Sequence, residues 1–77
     1  MSEHEWLLYF SDCLYDIMQE RNISQRELSD MTGLAEGTIS KYINGTNVPK
    51  ATTIVKLALA LECTTDELIN FGEMVDV

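Results

Sequence analysis

The stretch Ile23-Ser24-Gln25-Arg26-Glu27-Leu28-Ser29-Asp30-Met31-Thr32-Gly33-Leu34-Ala35-Glu36-Gly37-Thr38-Ile39-Ser40-Lys41-Tyr42-Ile43-Asn44-Gly45 decides how this chain is read. Ser24 and Glu27 stand in the Ser-x-x-Glu spacing of a capping box, where hydroxyl and carboxylate each satisfy a backbone N–H orphaned at a helix start. A helix is therefore expected from Gln25. Leu28 and Met31 supply its apolar positions, and Gly33 follows where a left-handed residue stops a helix, a conformation glycine adopts without a Cβ penalty. A further helix is expected over Glu36 to Ile43, with Ile39, Tyr42 and Ile43 on one side and Thr38, Ser40 and Lys41 largely on others. Asn44-Gly45 ends it. Two short helices around a glycine-containing turn, the second exposing small polar and charged residues, can place one helix in the major groove of DNA while the other rests on the backbone.

Upstream, Leu7, Phe10, Leu14 and Ile17 repeat at helical spacing and define a first helix from about Glu5 to Arg21, ended by Asn22, with Ile23 positioned to staple the next entry. Downstream, Thr46-Asn47-Val48-Pro49 reads as a polar turn leading into a fourth helix built on Ile54, Leu57, Ala58 and Leu61. Thr64-Thr65-Asp66-Glu67 offers a second capping box before Leu68, Ile69 and Phe71, and Gly72 is expected to close that short fifth helix. No strand pattern appears. The 77 residues make one domain, with a core over about 5–71 and a tail over 72–77.

The formal net charge is -8, which opposes nucleic-acid binding unless the basic groups are gathered together. Residues 1–20 carry Glu3, Glu5, Asp12, Asp16 and Glu20, or -5, and residues 57–77 carry Glu62, Asp66, Glu67, Glu73 and Asp76, again -5. All five basic residues, Arg21, Arg26, Lys41, Lys50 and Lys56, lie between them against Glu27, Asp30 and Glu36, or +2, and the three sums restore -8. On charge alone a generic acidic surface bearing a few lysines is the simpler reading.

The longest apolar run falls far short of the ~20 residues of a membrane span, and no basic segment followed by an apolar run stands at the N-terminus, so no signal peptide is expected. A soluble, cytoplasmic protein without membrane partners is expected. Cys13 and Cys63 have no metal-like spacing and no histidine cluster beside them, so they read as small half-buried apolar residues. His4 is the sole histidine and is expected to be solvated; no nucleophile is paired with a base, and no phosphate loop or metal cluster is present. Neither a catalytic site, a metal, a cofactor nor a small-molecule substrate is expected.

Taken together, Ser24-Gln25-Arg26-Glu27-Leu28-Ser29, Thr32-Gly33-Leu34, Thr38-Ile39-Ser40-Lys41-Tyr42-Ile43-Asn44-Gly45 and Pro49 resemble the Cro-like helix-turn-helix family of phage repressors and xenobiotic-response-element regulators. Leu57-Ala58-Leu59-Ala60-Leu61 and Thr65-Asp66-Glu67-Leu68-Ile69 are similar to that family's last two helices, so the resemblance runs from about Phe10 to Phe71. It implies an all-α, compact five-helix lambda-repressor-like domain with the helix-turn-helix at helices 2 and 3. It also implies sequence-specific binding of double-stranded DNA as a transcriptional regulator, repressor-like, on a palindromic operator as a homodimer.

The resemblance assigns base reading to Glu36, Gly37 and Lys41, with Thr38 and Ser40 alongside. Lys41 can donate to guanine, Glu36 can accept from cytosine N4, and the hydroxyls can bond a base edge or a phosphate. It assigns phosphate binding to Gln25, where side-chain and helix N-terminal amides meet the backbone, and to Asn44, Asn47 and Lys50 in the loop after the reading helix. Blander roles compete: Glu36 also complements a helix dipole, Lys41 also suits a solvated face, and Gln25 and Asn44 also serve as local caps. Gly37 permits close approach and weakens the first turn by about 1 kcal/mol relative to alanine.

Two departures from the family pattern matter. Where many members carry a buried Arg–Glu pair, this chain has Met18 and Ile43; an apolar exchange at both ends strands no charge, so the two are expected to touch in the core. Ala35 replaces the hydroxyl residue that would cap the third helix, which forgoes about 1 kcal/mol. Trp6, Leu8 and Tyr9 do not all fit the core face of the first helix, which leaves them as interface candidates together with Phe71, Met74 and Val75; alternatively Trp6 and Tyr9 fold over the core. A rival function, favoured by the acidity and by Glu36, is a protein-interaction module such as an antirepressor or accessory subunit.

Overall fold

The computed structural model describes residues 2–69, so the expectations for Phe71, Met74, Val75, Gly72 and the tail lie outside the described residues. Five helices follow in order: α1 Glu3–Arg21, α2 Gln25–Thr32, α3 Glu36–Ile43, α4 Ala51–Ala60 and α5 Thr65–Ile69. Among the described residues no strand occurs. The end of α1 and both ends of α2 and α3 fall where the sequence places them, and α1 begins two residues earlier than expected. Ser2 explains this, since its hydroxyl accepts the Glu5 amide at 3.2 Å and Glu3 and Glu5 then sit in the first turn, where a carboxylate complements the helix dipole.

The ends of the helices show why this sequence turns where it does. Asn22 closes α1 in the left-handed region at φ 55°. Ser24 and Glu27 form both arms of the capping box, each at 3.1 Å, and Gly33 ends α2 at φ 77°. Ala35 leaves α3 without a side-chain cap, as its methyl group dictates. At the second box the Thr64 hydroxyl accepts the Glu67 amide at 3.2 Å.

α1 packs against α3 and α5, α2 against α3 and α4, and α4 against α5, which encloses one core. Phe10, Leu14, Leu28, Ile39, Leu57, Leu61 and Leu68 are completely buried in it, one or more from every helix. Truncating any of these leucines or Ile39 to alanine therefore costs about 2–5 kcal/mol, a large part of what a domain this small has. Met18 is 3 % exposed and Ile43 packs half-buried against the same cluster, so the apolar exchange at this pair keeps the core free of a stranded charge. Trp6 stacks on Phe10 with ring centroids 5.6 Å apart, and Phe10 meets Tyr42 edge to face at 6.1 Å. Trp6 thus folds over the core, whereas Leu8 stays exposed.

Candidate nucleic-acid interface

The turn between α2 and α3 is held by side chains that compete for its backbone groups. The Thr32 hydroxyl donates to the Leu28 carbonyl at 2.7 Å and accepts the Leu34 amide at 3.2 Å, while the Ser29 hydroxyl donates to the Leu34 carbonyl. The Gly33 amide donates to Ser29 at 2.9 Å. Short polar side chains of this kind substitute for the backbone partners a helix end lacks, and they fix the angle at which α3 leaves α2.

α3 is an eight-residue helix with one face spent on the core: Ile39 and Tyr42 are buried and Ile43 is half-buried. At 3.6 residues per turn, Glu36 and Ser40 stand one above the other, and Gly37 and Lys41 do the same beside them. Gly37 and Lys41 form the face opposite the core with Ser40 on its flank, while Glu36, seven residues before Ile43, stands at the exposed N-terminal end of the helix; Glu36, Gly37 and Lys41 are exposed and Ser40 is half-buried. Thr38 falls on the flank, also half-buried. The structure thus groups Gly37 and Lys41 opposite the core, sets Ser40 and Thr38 on the two flanks, and leaves Glu36 at the N-terminal end of the helix. A Cβ built on Gly37 meets nothing within 4 Å, so the fold places no demand for glycine there.

The loop after α3 is tied back to it. The Asn44 amide reaches the Ser40 carbonyl at 2.9 Å, and the Thr46 amide and hydroxyl both reach the Lys41 carbonyl, at 2.9 and 3.2 Å. Gly45 sits at φ 71°, and a Cβ there would come within 3.3 Å of both Leu8 Cδ2 and Ser11 Oγ. Pro49 is buried and pins the far end of the loop, leaving Asn44 and Lys50 exposed and Asn47 half-buried. Gln25, half-buried, opens α2 next to the Ser24 cap.

Sequence reasoning missed three supports of this surface. Ser11, a serine inside α1, donates to the Tyr42 carbonyl at 2.6 Å as well as to Leu7 at 2.9 Å, and so joins α1 to the C-terminal end of α3. The polar residue between apolar positions was the available signal. Arg21, counted above with the basic middle segment, instead directs its Nε to the Leu61 carbonyl at 2.8 Å and its Nη2 to Glu62 at 3.3 Å. It satisfies the C-terminal end of α4, so the exposed basic groups left for a partner are Arg26, Lys41, Lys50 and Lys56. The third is the Ser29–Thr32 hydroxyl pair in the turn. Cys13 and Cys63 are half-buried and form no disulfide, and burial raises the Cys63 thiol pKa, with Glu67 adding to the rise and Arg21 opposing it. No group of His, Cys, Asp and Glu among the described residues is placed to hold a metal ion.

This helix-turn-helix geometry coincides with a family match over residues 14–68, more than half of the chain. The chain belongs to the helix-turn-helix family. Its relatives include the cryptic phage CTXphi transcriptional repressor RstR of Vibrio cholerae, 33 % identical over 64 residues that make up 83 % of this chain. The chain spans 58 % of the length of that repressor. Among solved structures, the restriction-modification controller protein C.AhdI of Aeromonas hydrophila superimposes with a TM-score of 0.78 at 27 % identity, over 80 % of this chain and 94 % of its own. A helix-turn-helix transcriptional regulator from Vibrio cholerae superimposes with a TM-score of 0.86 over 95 % of this chain and 41 % of its own; at 16 % identity it shares the fold. These helix-turn-helix relatives are regulators by name, not enzymes. No helix among the described residues is long and apolar enough to cross a membrane.

Proposed function

We propose that this protein is a cytoplasmic, sequence-specific DNA-binding regulator, repressor-like, that sits on a palindromic operator as a homodimer with α3 of each copy in the major groove. The observation that carries this reading is the outward side of α3, where Gly37 and Lys41 stand opposite the core, Ser40 and Thr38 flank them and Glu36 is exposed at the N-terminal end, on a helix clamped at both ends. In this reading Lys41 donates to guanine O6 or N7, Glu36 accepts from cytosine N4, and Ser40 and Thr38 bond base edges or the neighbouring sugar-phosphate. Gly37, bare of a side chain, lets the helix come close to the groove floor. Gln25 and the first amides of α2 hold one phosphate strand, and Asn44, Asn47 and Lys50 hold the next phosphates.

The acidic total is compatible with this because carboxylates on α1 and α5 stand on other elements, and potential at the contact surface follows the local charge more than the sum. The transcriptional role of RstR, a relative at 33 % identity, supports the same reading.

The test is anisotropy binding to a randomised duplex pool at two salt concentrations, with sequencing of the bound fraction. Enrichment of a two-fold site with a salt slope worth several phosphates supports the regulator. Absence of binding at ~50 mM salt, where phosphate contacts are strongest, transfers the lead to a protein-interaction module.

A further inference from the structure

The outward side of α4 borders an apolar groove. Met31, Thr32, Lys56, Leu59 and Ala60 line a depression of about 330 Å³ between the end of α2 and the second half of α4, with Leu59 74 % and Met31 53 % exposed. Single exposed leucines are ordinary on a protein surface, but a leucine and a methionine lining one groove leave apolar area that a further apolar segment would remove from water. Lys56 is the one ionisable residue of that lining. The exposed carboxylates of α2 stand apart from it: Glu27 is turned back onto the Ser24 amide at 3.1 Å, and Asp30 lies about 100° round the helix from Met31.

The chain itself carries a segment of matching chemistry. Beyond Ile69 come Asn70-Phe71-Gly72-Glu73-Met74-Val75-Asp76-Val77, in which two carboxylates bracket Met74 and Val75 and no cation occurs. α5 packs against α4, so this segment starts beside the helix that borders the groove. Met74 stands five residues past Ile69, a reach of ~16 Å that matches the ~15 Å length of α4. So short a tether holds the segment near the groove at an effective concentration in the mM range. A contact that two separate molecules would make with a Kd of ~1 mM is then populated within one chain.

We propose that residues 73–77 fold back on the groove between α2 and α4, Met74 and Val75 covering Leu59 and Met31 while Glu73 and Asp76 flank Lys56. The segment is then a strap built into the chain. It closes the apolar side of α4 to other apolar surfaces, and a partner that binds this side must first displace it. The contact is independent of whether α3 reads DNA.

The experiment needs no DNA. Methyl and amide NMR spectra of the isotope-labelled full chain are recorded at ~50 and ~500 μM, both below the mM effective concentration of the tether. NOEs are expected from the Met74 and Val75 methyl groups to Leu59 and Met31, in the same proportion at both concentrations. Leu59→Lys and, separately, Lys56→Glu shift the Met74 and Val75 amides toward those of the free peptide 70–77, whereas Tyr15→Ser, on the exposed outer side of α1, leaves them in place. Absence of those NOEs overturns the proposal, and so do NOEs that strengthen with concentration, which would give the groove to a second copy. Tail amides that ignore both α4 variants overturn it as well.

Discussion

The hydroxyl of Ser11 in α1 donates to the carbonyl of Tyr42 in α3 at 2.6 Å, across 31 residues of sequence. The last carbonyls of a helix have no partner within it, and Tyr42 is the next-to-last residue of α3. Ser11 therefore anchors α3 to the longest of the described helices, inside the core. Ser11→Ala removes this bond and leaves the Tyr42 carbonyl only the Gly45 amide, 3.2 Å away; it is expected to lower unfolding stability by about 0.5–1.5 kcal/mol, read as a lower urea midpoint at unchanged m-value. A midpoint equal to wild type would show that the bond contributes nothing net.

Gly45 and Gly37 sit at opposite extremes of tolerance. Gly45→Ala puts a side chain at φ 71° and within 3.3 Å of Leu8 and Ser11, so it is expected to destabilise by about 1–2 kcal/mol or more. Gly37→Ala meets open space inside a helix and is expected to stabilise by about 0.5–1 kcal/mol. Thermal unfolding of the two variants should move in opposite directions. If Gly37→Ala also weakens operator binding while the fold gains stability, the glycine serves the contact rather than the helix.

The five helices were legible because their punctuation is local: Ser24 and Glu27, Gly33 and Asn44-Gly45 each act within four residues, and the apolar repeats of α1 and α4 need only the helical period. What escaped was long-range. Arg21 lies next to basic residues in sequence but in space caps a helix forty residues away, and the sequence holds no trace of that distance. Ser11 looked like a polar interruption, since its partner is a backbone carbonyl of another helix. The exposed face of α4 was hidden for a related reason. Leu59 sits in an apolar run with Leu57, Ala58 and Leu61, and only the packing of α2 and α5 reveals which of these points outward.

Arg21 belongs to the fold rather than to a contact surface. Arg21→Met keeps much of the aliphatic stem but removes both bonds to Leu61 and Glu62. It is expected to destabilise by about 1 kcal/mol, since a partly solvated bond contributes modestly, and to leave DNA affinity unchanged at equal salt. A drop in affinity without a drop in melting temperature would reassign Arg21 to the phosphates.

Cys63 links stability to alkaline pH. Its thiol pKa in the folded chain is raised above the ordinary 9.0, first by burial and then by Glu67. A raised folded pKa means that the neutral thiol supports the fold fully below the unfolded value; the contribution is lost as pH rises from about 9 through the folded value. Cys63→Ala is expected to flatten that part of the stability profile. Urea midpoints measured from neutral pH upward should show wild type falling faster than the variant above pH 9.0, and parallel profiles would exclude a Cys63 contribution.

Lys41 and Lys50 are both exposed, yet they are assigned different tasks and so should fail differently. Lys41 stands with Gly37 on the outer face of α3, where the proposed function has it donate to base edges; Lys41→Ala is expected to cost about 1–3 kcal/mol on the selected operator and far less on random duplex. Lys50 stands at the start of α4, after the buried Pro49, where the proposed function sets its charge on a phosphate. Lys50→Ala should weaken operator and random duplex alike and reduce the salt slope by about one. Anisotropy titrations of both variants on both duplexes, across salt, separate the two. Equal losses on operator and random DNA for Lys41→Ala would remove it from base reading, because a group that contacts only backbone cannot distinguish one sequence from another.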